Sequence, residues 1–453
     1  MLDLDRAARD IGAGRRGPNV SFHGVTTDSR QVAHGDLFVA LRGENHDGHA
    51  FVQQALGCGA VAAMVDDAKA AAGRDVPLIL VDDTLQALGR LAAAWRRRFT
   101  LPLVAVTGSN GKTTVKEMLA AILRAHVGDD AVLATSGNLN NAIGMPLMLL
   151  RLRSHHRYAV IEMGMNHLGE IRYLTTLAAP TAALVNNAGT AHIGELGSRD
   201  AIAQAKGEIY EGLEGGVALI NADDAFAGYW RGLNQARRVV DFGIEAAAHV
   251  RGSVEGDVLS VTTPRDSYRV RVPVPGLHNL RNALAACAAA FALDVPTPAV
   301  IHGLAAFEGA KGRLQSRSGK AGARIVDDTY NANPDSMRAA IAVLAQSAAP
   351  RVLVMGDMGE LGGDAARLHQ ELGEAARTAG IERLFTLGEL SAHAAQGFGS
   401  GARAFQDVDA LCGELTPLLG PATTVLVKGS RFMRMERVVQ RLLAEAGADG
   451  EGH

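Results

Sequence analysis

One short run, Val104-Ala-Val-Thr-Gly-Ser-Asn-Gly-Lys-Thr-Thr114, constrains this chain more than any other. Val104 to Thr107 reads as a buried strand, and the residues from Lys112 onward read as a helix. Between them, Gly108-Ser-Asn-Gly111 turns the chain sharply. A strand that passes through such a turn into a helix leaves several backbone N–H groups aimed at one spot. That spot also lies at the positive end of the helix dipole, so it suits phosphate oxygens. Lys112 can reach a transferred phosphate, and the Thr113 hydroxyl can ligate Mg²⁺. The usual phosphate loop has glycine five residues before its Gly-Lys pair; here that position is Val106, so the loop is a shorter variant, GxxGKT. A plain glycine-rich helix cap is the alternative, but it would not need strand, spacing, lysine and paired threonines together. Thr107, Gly108, Ser109, Asn110, Gly111, Lys112, Thr113 and Thr114 are therefore the expected nucleotide contacts.

A strand–loop–helix of this kind belongs to an α/β fold, in which ligands gather at the carboxyl ends of strands. Two further strands end in chemistry. Tyr158-Ala-Val-Ile161 runs into Glu162, and Ala182-Ala-Leu-Val185 runs into Asn186-Asn187, with His192 beyond. An acid after four apolar residues is half-buried and costly unless paired or on a metal, so Glu162 reads as a Mg²⁺ ligand or a salt-bridged structural acid. His192 could hold a second Mg²⁺ or a γ-phosphate, or be an ordinary loop histidine. His155 and His156 read as solvated, and the run Arg96-Arg-Arg98 as a solvated helix end.

The 453 residues allow two to four domains, and a net charge of −3 with interspersed signs argues against a general grip on nucleic acid or anionic membrane. One basic pocket for a phosphorylated small molecule remains compatible with it. Cys58, Cys287 and Cys412 lie far apart without a CxxC pair, which excludes a zinc ribbon and disfavours a disulfide framework. The acidic start lacks the apolar core of a signal peptide, and the most apolar stretch, Ala283 to Leu293, is too short to span a bilayer. The expectation is a soluble, reduced, cytoplasmic protein.

Apolar runs alternate with helical patterns along the chain, which predicts α/β architecture with largely parallel sheets. Three domains are expected, over residues 1–83, 84–314 and 315–453. The first ends after the strand-like Pro77 to Val81, and a helix over Thr84 to Arg98 leads into the second. The tail of the second, Gly252 to Val274, reads as β-hairpin material. The third carries strands at Arg324–Asp327, Val352–Met355, Arg383–Thr386 and Val425–Val427. Its Gly356-Asp-Met-Gly-Glu-Leu-Gly362 is GxxGxxG and departs from the dinucleotide fingerprint GxGxxG.

The loop Thr107 to Thr114, Gly137-Asn-Leu-Asn-Asn-Ala-Ile-Gly-Met-Pro146, Ala205-Lys-Gly-Glu208 and Gly276-Leu-His-Asn-Leu-Arg-Asn-Ala-Leu284 together resemble the Mur ligase family. So do Asp327-Asp-Thr-Tyr-Asn-Ala-Asn-Pro-Asp-Ser336, Gly356 to Gly362 and Val427-Lys-Gly-Ser-Arg431. These motifs span the chain in the family's order. The resemblance implies an N-terminal UDP-sugar domain, a central ATPase with a parallel sheet flanked by helices, and a C-terminal Rossmann-like domain for the acceptor. The implied reaction is ATP-dependent. The terminal carboxylate of UDP-N-acetylmuramoyl-tripeptide becomes an acyl phosphate, which the amine of D-alanyl-D-alanine attacks; a monomer is expected. Lys206 matches the lysine that becomes a carbamate and helps bind a second Mg²⁺. Its sequence alone would read as a surface lysine.

Asn279 and Asn282 match the adenine-recognition position, although Asn279 also suits a helix N-cap. Arg313 and Asp328 match residues that hold the nucleotide, near the γ-phosphate and the ribose respectively. Asn331 and Asn333 would meet the dipeptide. Asn138 and Asn141 fall in the motif at the substrate and catalytic positions. Ser29 and Arg30, in Thr26-Thr-Asp-Ser-Arg30, are candidates for the UDP moiety, against ordinary loop chemistry. A ligase adding the third amino acid or a folylpolyglutamate synthase shares the ATPase core. A non-catalytic regulator would be expected to lack Lys112, Glu162 or Lys206, and all three are retained.

Overall fold

Strand Leu103–Thr107 lies inside a nine-stranded sheet, flanked by Ala182–Val185 and Tyr158–Glu162. The computed structural model describes residues 1–44, 46–67, 69, 76–191 and 193–444. From the edge at Val132–Ala134 through Val217–Asn221 and Arg238–Gly243 to Val250–Glu255, neighbouring strands are parallel. Val258–Thr262 and Ser267–Arg271 then add an antiparallel meander, the hairpin expected there. Every residue of Leu103–Thr107 is buried, as a central parallel strand covered on both faces requires. Val106 lies opposite both Glu162 and Leu184, so three strands finish level. That register brings Gly108–Gly111, Glu162 and Asn186-Asn187 to one edge of the sheet.

The apolar stretch around Ala283 belongs to helix Leu277–Ala292, whose small side chains pack closely on the sheet beside helix Lys112–Val127. Among the described residues no helix is long and apolar enough to cross a membrane. The three cysteines are free, Cys58 exposed and the other two buried.

Residues from Gln315 on form a six-stranded sheet ordered Gln315–Ser318, Arg324–Asp328, Thr424–Lys428, Arg351–Gly356, Arg383–Leu387 and Ala402–Phe405. The four strands expected from sequence are its inner ones. The two edge strands carry few buried residues, and so they lack the apolar run that marks a strand.

The N-terminal residues supply a five-stranded sheet, ordered Gly14–Arg16, Leu78–Leu80, Ala62–Val65, Asp36–Val39 and Gly24–Thr26. Helix Thr84–Arg96 starts at Asp83, whose carboxylate accepts from Gln86 N–H at 2.9 Å. Its Leu88, Leu91 and Trp95 enter one apolar cluster with Leu37, Met64 and Ile79 of that sheet and with Met148 and Leu174 of the central unit. Burying each such side chain contributes roughly 1.5–3 kcal/mol, so the helix joins the two units firmly.

Arg96 corrects the reading of a solvated helix end. It is 5% exposed, and its guanidinium donates to Ala178 O at 2.9 Å, Phe99 O at 2.6 Å, Ala179 O at 3.3 Å and Leu101 O at 3.5 Å. Carbonyls at the end of helix Glu170–Ala178 carry the negative end of its dipole, which suits a buried cation without a carboxylate. Arg97 and Arg98 are exposed. His155 is exposed too, whereas His156 is half-buried and accepts from Arg153 N–H at 2.9 Å.

Candidate active site

Gly111 starts helix Lys112–Val127 with φ +80°, a left-handed conformation, and a Cβ there would stand 2.3 Å from Asn282 Oδ1. Both facts demand glycine. The loop ahead of it is laced to the loop after strand Ala182–Val185. Ser109 N–H donates to Asn187 O at 2.9 Å and Asn110 N–H to Asn187 Oδ1 at 2.8 Å. Asn186 and Asn187 amides both donate to Asn110 O, at 2.9 and 3.0 Å, and Gly189 N–H donates to Ser109 Oγ at 2.9 Å. Thr107 ties the strand end inward, donating to Met163 O at 2.9 Å, and Thr114 is buried in the helix's first turn.

Asn279 and Asn282 are both buried directly behind this loop. Asn186 Nδ2 donates to Asn282 Oδ1 at 2.9 Å, while Asn279 Nδ2 donates to Pro275 O at 2.7 Å. The N-cap of their helix is Gly276, so Asn279 sits inside the first turn and is not the cap.

Lys112 folds over the loop and donates to Gly108 O at 2.7 Å. Burial, followed by the neighbouring Arg313, draws its pKa below the usual lysine value, and Glu162 and Glu360 oppose that shift. Thr113 Oγ1 donates to Glu162 Oε2 at 2.9 Å, and Asn140 Nδ2 donates to Glu162 Oε1 at 2.8 Å. Glu162 is 2% exposed and forms no ion pair among the described residues, an arrangement that a metal would complete. Arg313 comes across from the C-terminal side. It donates to Thr113 Oγ1 at 3.2 Å and stacks 4.3 Å over the Tyr330 ring, and among the described residues its buried Nε has no partner.

Lys206, on helix Arg199–Gly207, is 1% exposed rather than a surface lysine. Burial first and the Lys112 charge second depress its pKa well below the ordinary value, which favours the neutral amine. Two residues on, Glu208 accepts from Gly169 N–H at 2.8 Å and Arg172 N–H at 3.1 Å, fixing the segment before helix Glu170–Ala178. His192 lies outside the described residues.

Ser109, Asn110, Gly111, Lys112, Glu162 and Arg313 line the floor of a cleft of about 1130 Å³. Asn138, Asn140 and Asn141 line one wall, and Asn331, Asn333 and Tyr330 the other. Asn141 Oδ1 is occupied in the turn before helix Gly144–Leu149, accepting from Ile143 N–H at 3.2 Å and Gly144 N–H at 2.8 Å. Asn333 Oδ1 caps helix Pro334–Ala345 while its Nδ2 donates to Asn110 Oδ1 at 2.8 Å. Asn331 O accepts from Lys428 Nζ at 2.9 Å.

Several expected residues do not line the cleft, among them Gly108, Thr113 and Lys206, Asn279 and Asn282 behind the loop, and Asp328, Ser29 and Arg30. Asp328 forms a buried ion pair with Lys428 at 2.7 Å and also accepts from Leu314 N–H at 3.2 Å. Ser29 and Arg30 do not line it, and Arg30 pairs with Asp28 at 2.8 Å in solvent.

Known proteins with this arrangement are informative. The chain matches the Mur ligase family catalytic domain over residues 21–96, the Mur ligase middle domain over 106–290 and the Mur ligase glutamate ligase domain over 312–431. The UDP-N-acetylmuramoyl-tripeptide–D-alanyl-D-alanine ligase of Escherichia coli (strain K12) is 42% identical over 94% of this chain and 95% of its own length. The chain belongs to the Mur ligase family. MurF from Acinetobacter baumannii superposes with TM-score 0.89 at 37% identity, covering 97% of this Mur ligase and 98% of its own chain. MurF from Thermotoga maritima in complex with ADP gives TM-score 0.79 at 27% identity, covering 92% and 96%. A folylpolyglutamate synthase from Mycobacterium tuberculosis, at 17% identity and TM-score 0.60 over 79% of this chain and 94% of its own, shares the fold alone.

Sequence reasoning passed over Asn140, although it singled out Asn138 and Asn141 in the same run. It also missed Lys116, which is buried and donates to Thr135 O at 2.7 Å, while Thr135 Oγ1 accepts from Glu162 N–H at 2.9 Å. A lysine four residues after Lys112 on a helix carries no signal of burial.

Proposed function

We propose that this Mur ligase joins D-alanyl-D-alanine to UDP-N-acetylmuramoyl-tripeptide, with ATP converted to ADP and phosphate. The reading rests on one observation above all. Lys112, Glu162 and Arg313 line one cleft, and Thr113 bonds to both Glu162 and Arg313. A carboxylate and an amine do not condense in water, so the carboxylate must first be activated. Transfer of the γ-phosphoryl group to the peptide's terminal carboxylate gives an acyl phosphate and ADP. The dipeptide amine then attacks the carbonyl carbon, and the tetrahedral intermediate collapses with loss of phosphate.

The chain's own groups act chiefly by position and charge. Lys112 and the N–H groups at the helix start hold the phosphates, while those of Ser109 and Asn110 are spent on Asn187. Arg313, whose Nε has no partner among the described residues, supplies a donor to the transferred phosphoryl group. Asn331 and Asn333 stand where the dipeptide enters, and the closed walls keep water from the acyl phosphate. Asn138 and Asn141 face the peptide on the opposite wall. Asn279, Asn282 and Asp328 are assigned to the nucleoside end of ATP, and Ser29 and Arg30 to the UDP moiety. The units are assigned as 1–83 for the UDP-sugar, 84–314 for ATP and 315–453 for the acceptor.

Mg²⁺ fits this site. Thr113 and Glu162 offer two hard oxygens 2.9 Å apart, and Mg²⁺ characteristically completes its shell with phosphate oxygens and water. No group of three or more histidine, cysteine or acidic side chains among the described residues could hold a metal unaided. Bound there, Mg²⁺ would supply charge neutralisation at the phosphates. A second ion would be held by His192 and by Lys206 as a carbamate. Burial of Lys206 favours its neutral amine over the ammonium, and the neutral amine is the form that can add CO₂. The enzyme works as a cytoplasmic monomer in this reading.

The test is phosphate release with ATP and Mg²⁺, adding UDP-N-acetylmuramoyl-tripeptide with and without D-alanyl-D-alanine. Release that needs both, with the pentapeptide seen by mass, is the expected result. Release only with UDP-N-acetylmuramoyl-dipeptide and an amino acid, or with a folate and glutamate, would overturn the substrate assignment.

A further inference from the structure

We infer that Asp335 is a positioning residue, holding the phosphate loop in shape from the opposite wall of the cleft. It stands in the first turn of helix Pro334–Ala345, yet one carboxylate oxygen is spent outside that helix. Asp335 Oδ2 accepts from both Thr190 N–H at 2.9 Å and Thr190 Oγ1–H at 2.8 Å. Among the described residues it pairs with Arg338, 4.0 Å from Oδ1. Thr190 ends the Asn186–Thr190 loop that is laced to Ser109 and Asn110. One residue before Asp335's helix begins, Asn333 reaches Asn110 itself at 2.8 Å. The helix start therefore touches the phosphate loop twice, once directly and once through Thr190.

Gly189 makes the approach possible. A Cβ there would lie 2.6 Å from Asp335 Oδ2 and 3.5 Å from Asn110 Nδ2, though the backbone conformation itself would admit alanine. The close seat of the carboxylate is thus built into the loop opposite. When the C-terminal unit is seated, Thr190 is fixed by two charge-assisted hydrogen bonds, and Asn187 then presents its oxygens to the Ser109 and Asn110 N–H groups. When it is not, that loop loses its outer tether and the phosphate loop loosens with it. The geometry links seating of the acceptor-side wall to readiness for phosphoryl transfer, which rests on the ligase reading above for its catalytic consequence.

The experiment compares the wild type with Asp335→Ala, Asp335→Asn and Gly189→Ala by amide hydrogen exchange and by steady-state kinetics. Charge-assisted hydrogen bonds of this kind correspond to roughly ten- to a hundredfold in an equilibrium. In Asp335→Ala and Gly189→Ala, exchange in the peptide covering residues 107–115 should therefore rise about tenfold. Phosphate released per amide bond formed should rise with it, since a loosened site admits water to the acyl phosphate. Asp335→Asn keeps an acceptor oxygen and should restore most of both. If the carboxylate served only the helix dipole, the asparagine variant would behave like alanine, and that result overturns the proposal. It is equally overturned if faster exchange is confined to residues 188–194 while 107–115 stays as in the wild type. A wild type that forms no amide would remove the ligase reading, and the exchange comparison would still decide the coupling.

Discussion

Replacing Lys112 with alanine should separate catalysis from stability. The ammonium donates one short hydrogen bond, to Gly108 O at 2.7 Å, and losing a charge-assisted bond costs about 1.5–3 kcal/mol. Against that stands burial, the first cause of its lowered pKa, with repulsion from Arg313 added; Glu162 and Glu360 offset part of this. Alanine relieves both penalties, and because the site opens into a large cleft no sealed cavity is left behind. The terms nearly cancel, leaving a net change of about 1 kcal/mol or less, roughly 2–4 °C in melting temperature. Catalysis has no such compensation. A fixed cation aimed at charge that develops during transfer supplies about 3–4 kcal/mol in a water-excluded site, hence a kcat loss of about 10²–10³ or more. The assay is pentapeptide formation at saturating ATP, run beside thermal unfolding of the same preparation. A kcat within tenfold of the wild type would refute the placement of Lys112 at the phosphates. Loss of activity accompanied by a fall in melting temperature well beyond 4 °C would show instead that the loop had collapsed.

Lys206→Ala should abolish amide formation, with partial return when a short carboxylic acid is added to the assay. Full activity without the additive would eliminate the carbamate. Arg96→Met should lower stability by about 3 kcal/mol in urea unfolding, because carbonyls ending two helices lose a shared charged donor, while kcat of the folded fraction stays put. A shift under 1 kcal/mol would mean that water serves those carbonyls equally well. His369 is fully buried, with Nδ1–H donating to Ala365 O at 2.7 Å and Nε2 accepting from Met358 N–H at 3.0 Å, and burial holds its pKa below the usual imidazole value. Its contribution is therefore complete above about pH 6.5 and shrinks as the pH falls from there towards the lower folded value. Melting temperatures at pH 7.5 and 5.5 should show a smaller acid loss in His369→Asn, and an unchanged loss would place the acid sensitivity elsewhere.

The parts of the fold legible in the sequence are those whose signal is local. Leu103–Thr107 and the four inner strands after Arg324 announce themselves because a strand covered on both faces must be apolar throughout. The phosphate loop is legible because its backbone geometry demands glycine at 111. Arg96 escaped because burial of a cation depends on carbonyls 82 and 83 residues away. The same holds for Asp335, whose partner Thr190 is 145 residues off, and for the ion pair that occupies Asp328. Asn140 and Asn141 show a finer limit. They are adjacent and chemically identical, yet one meets Glu162 and the other holds the turn ahead of helix Gly144–Leu149, a division set by the backbone between them.

The same contacts say which part of this ligase can move. One apolar cluster runs unbroken from Leu2 through Trp95 to Trp230, so parting the N-terminal sheet from the central unit would expose large hydrophobic side chains. The apolar clusters of the C-terminal unit contain no residue before Leu314. Across the cleft the link is polar instead: Asn333 to Asn110, Asp335 to Thr190, Arg313 to Thr113, and Glu360 O accepting from Gly194 N–H at 3.1 Å. Water can replace each of these, so the net cost of releasing one is about 0.5–1.5 kcal/mol, or 1.5–3 where a charge takes part. Gly309 and Gly312, at φ +96° and +67° in the connection to that unit, occupy backbone conformations that give the chain freedom to turn. A fold glued by apolar contact on one side of the cleft and by exchangeable hydrogen bonds on the other parts at least cost along the polar side. On the assignment of the C-terminal unit to the acceptor proposed above, that is the side by which the dipeptide would enter and the lengthened peptide leave.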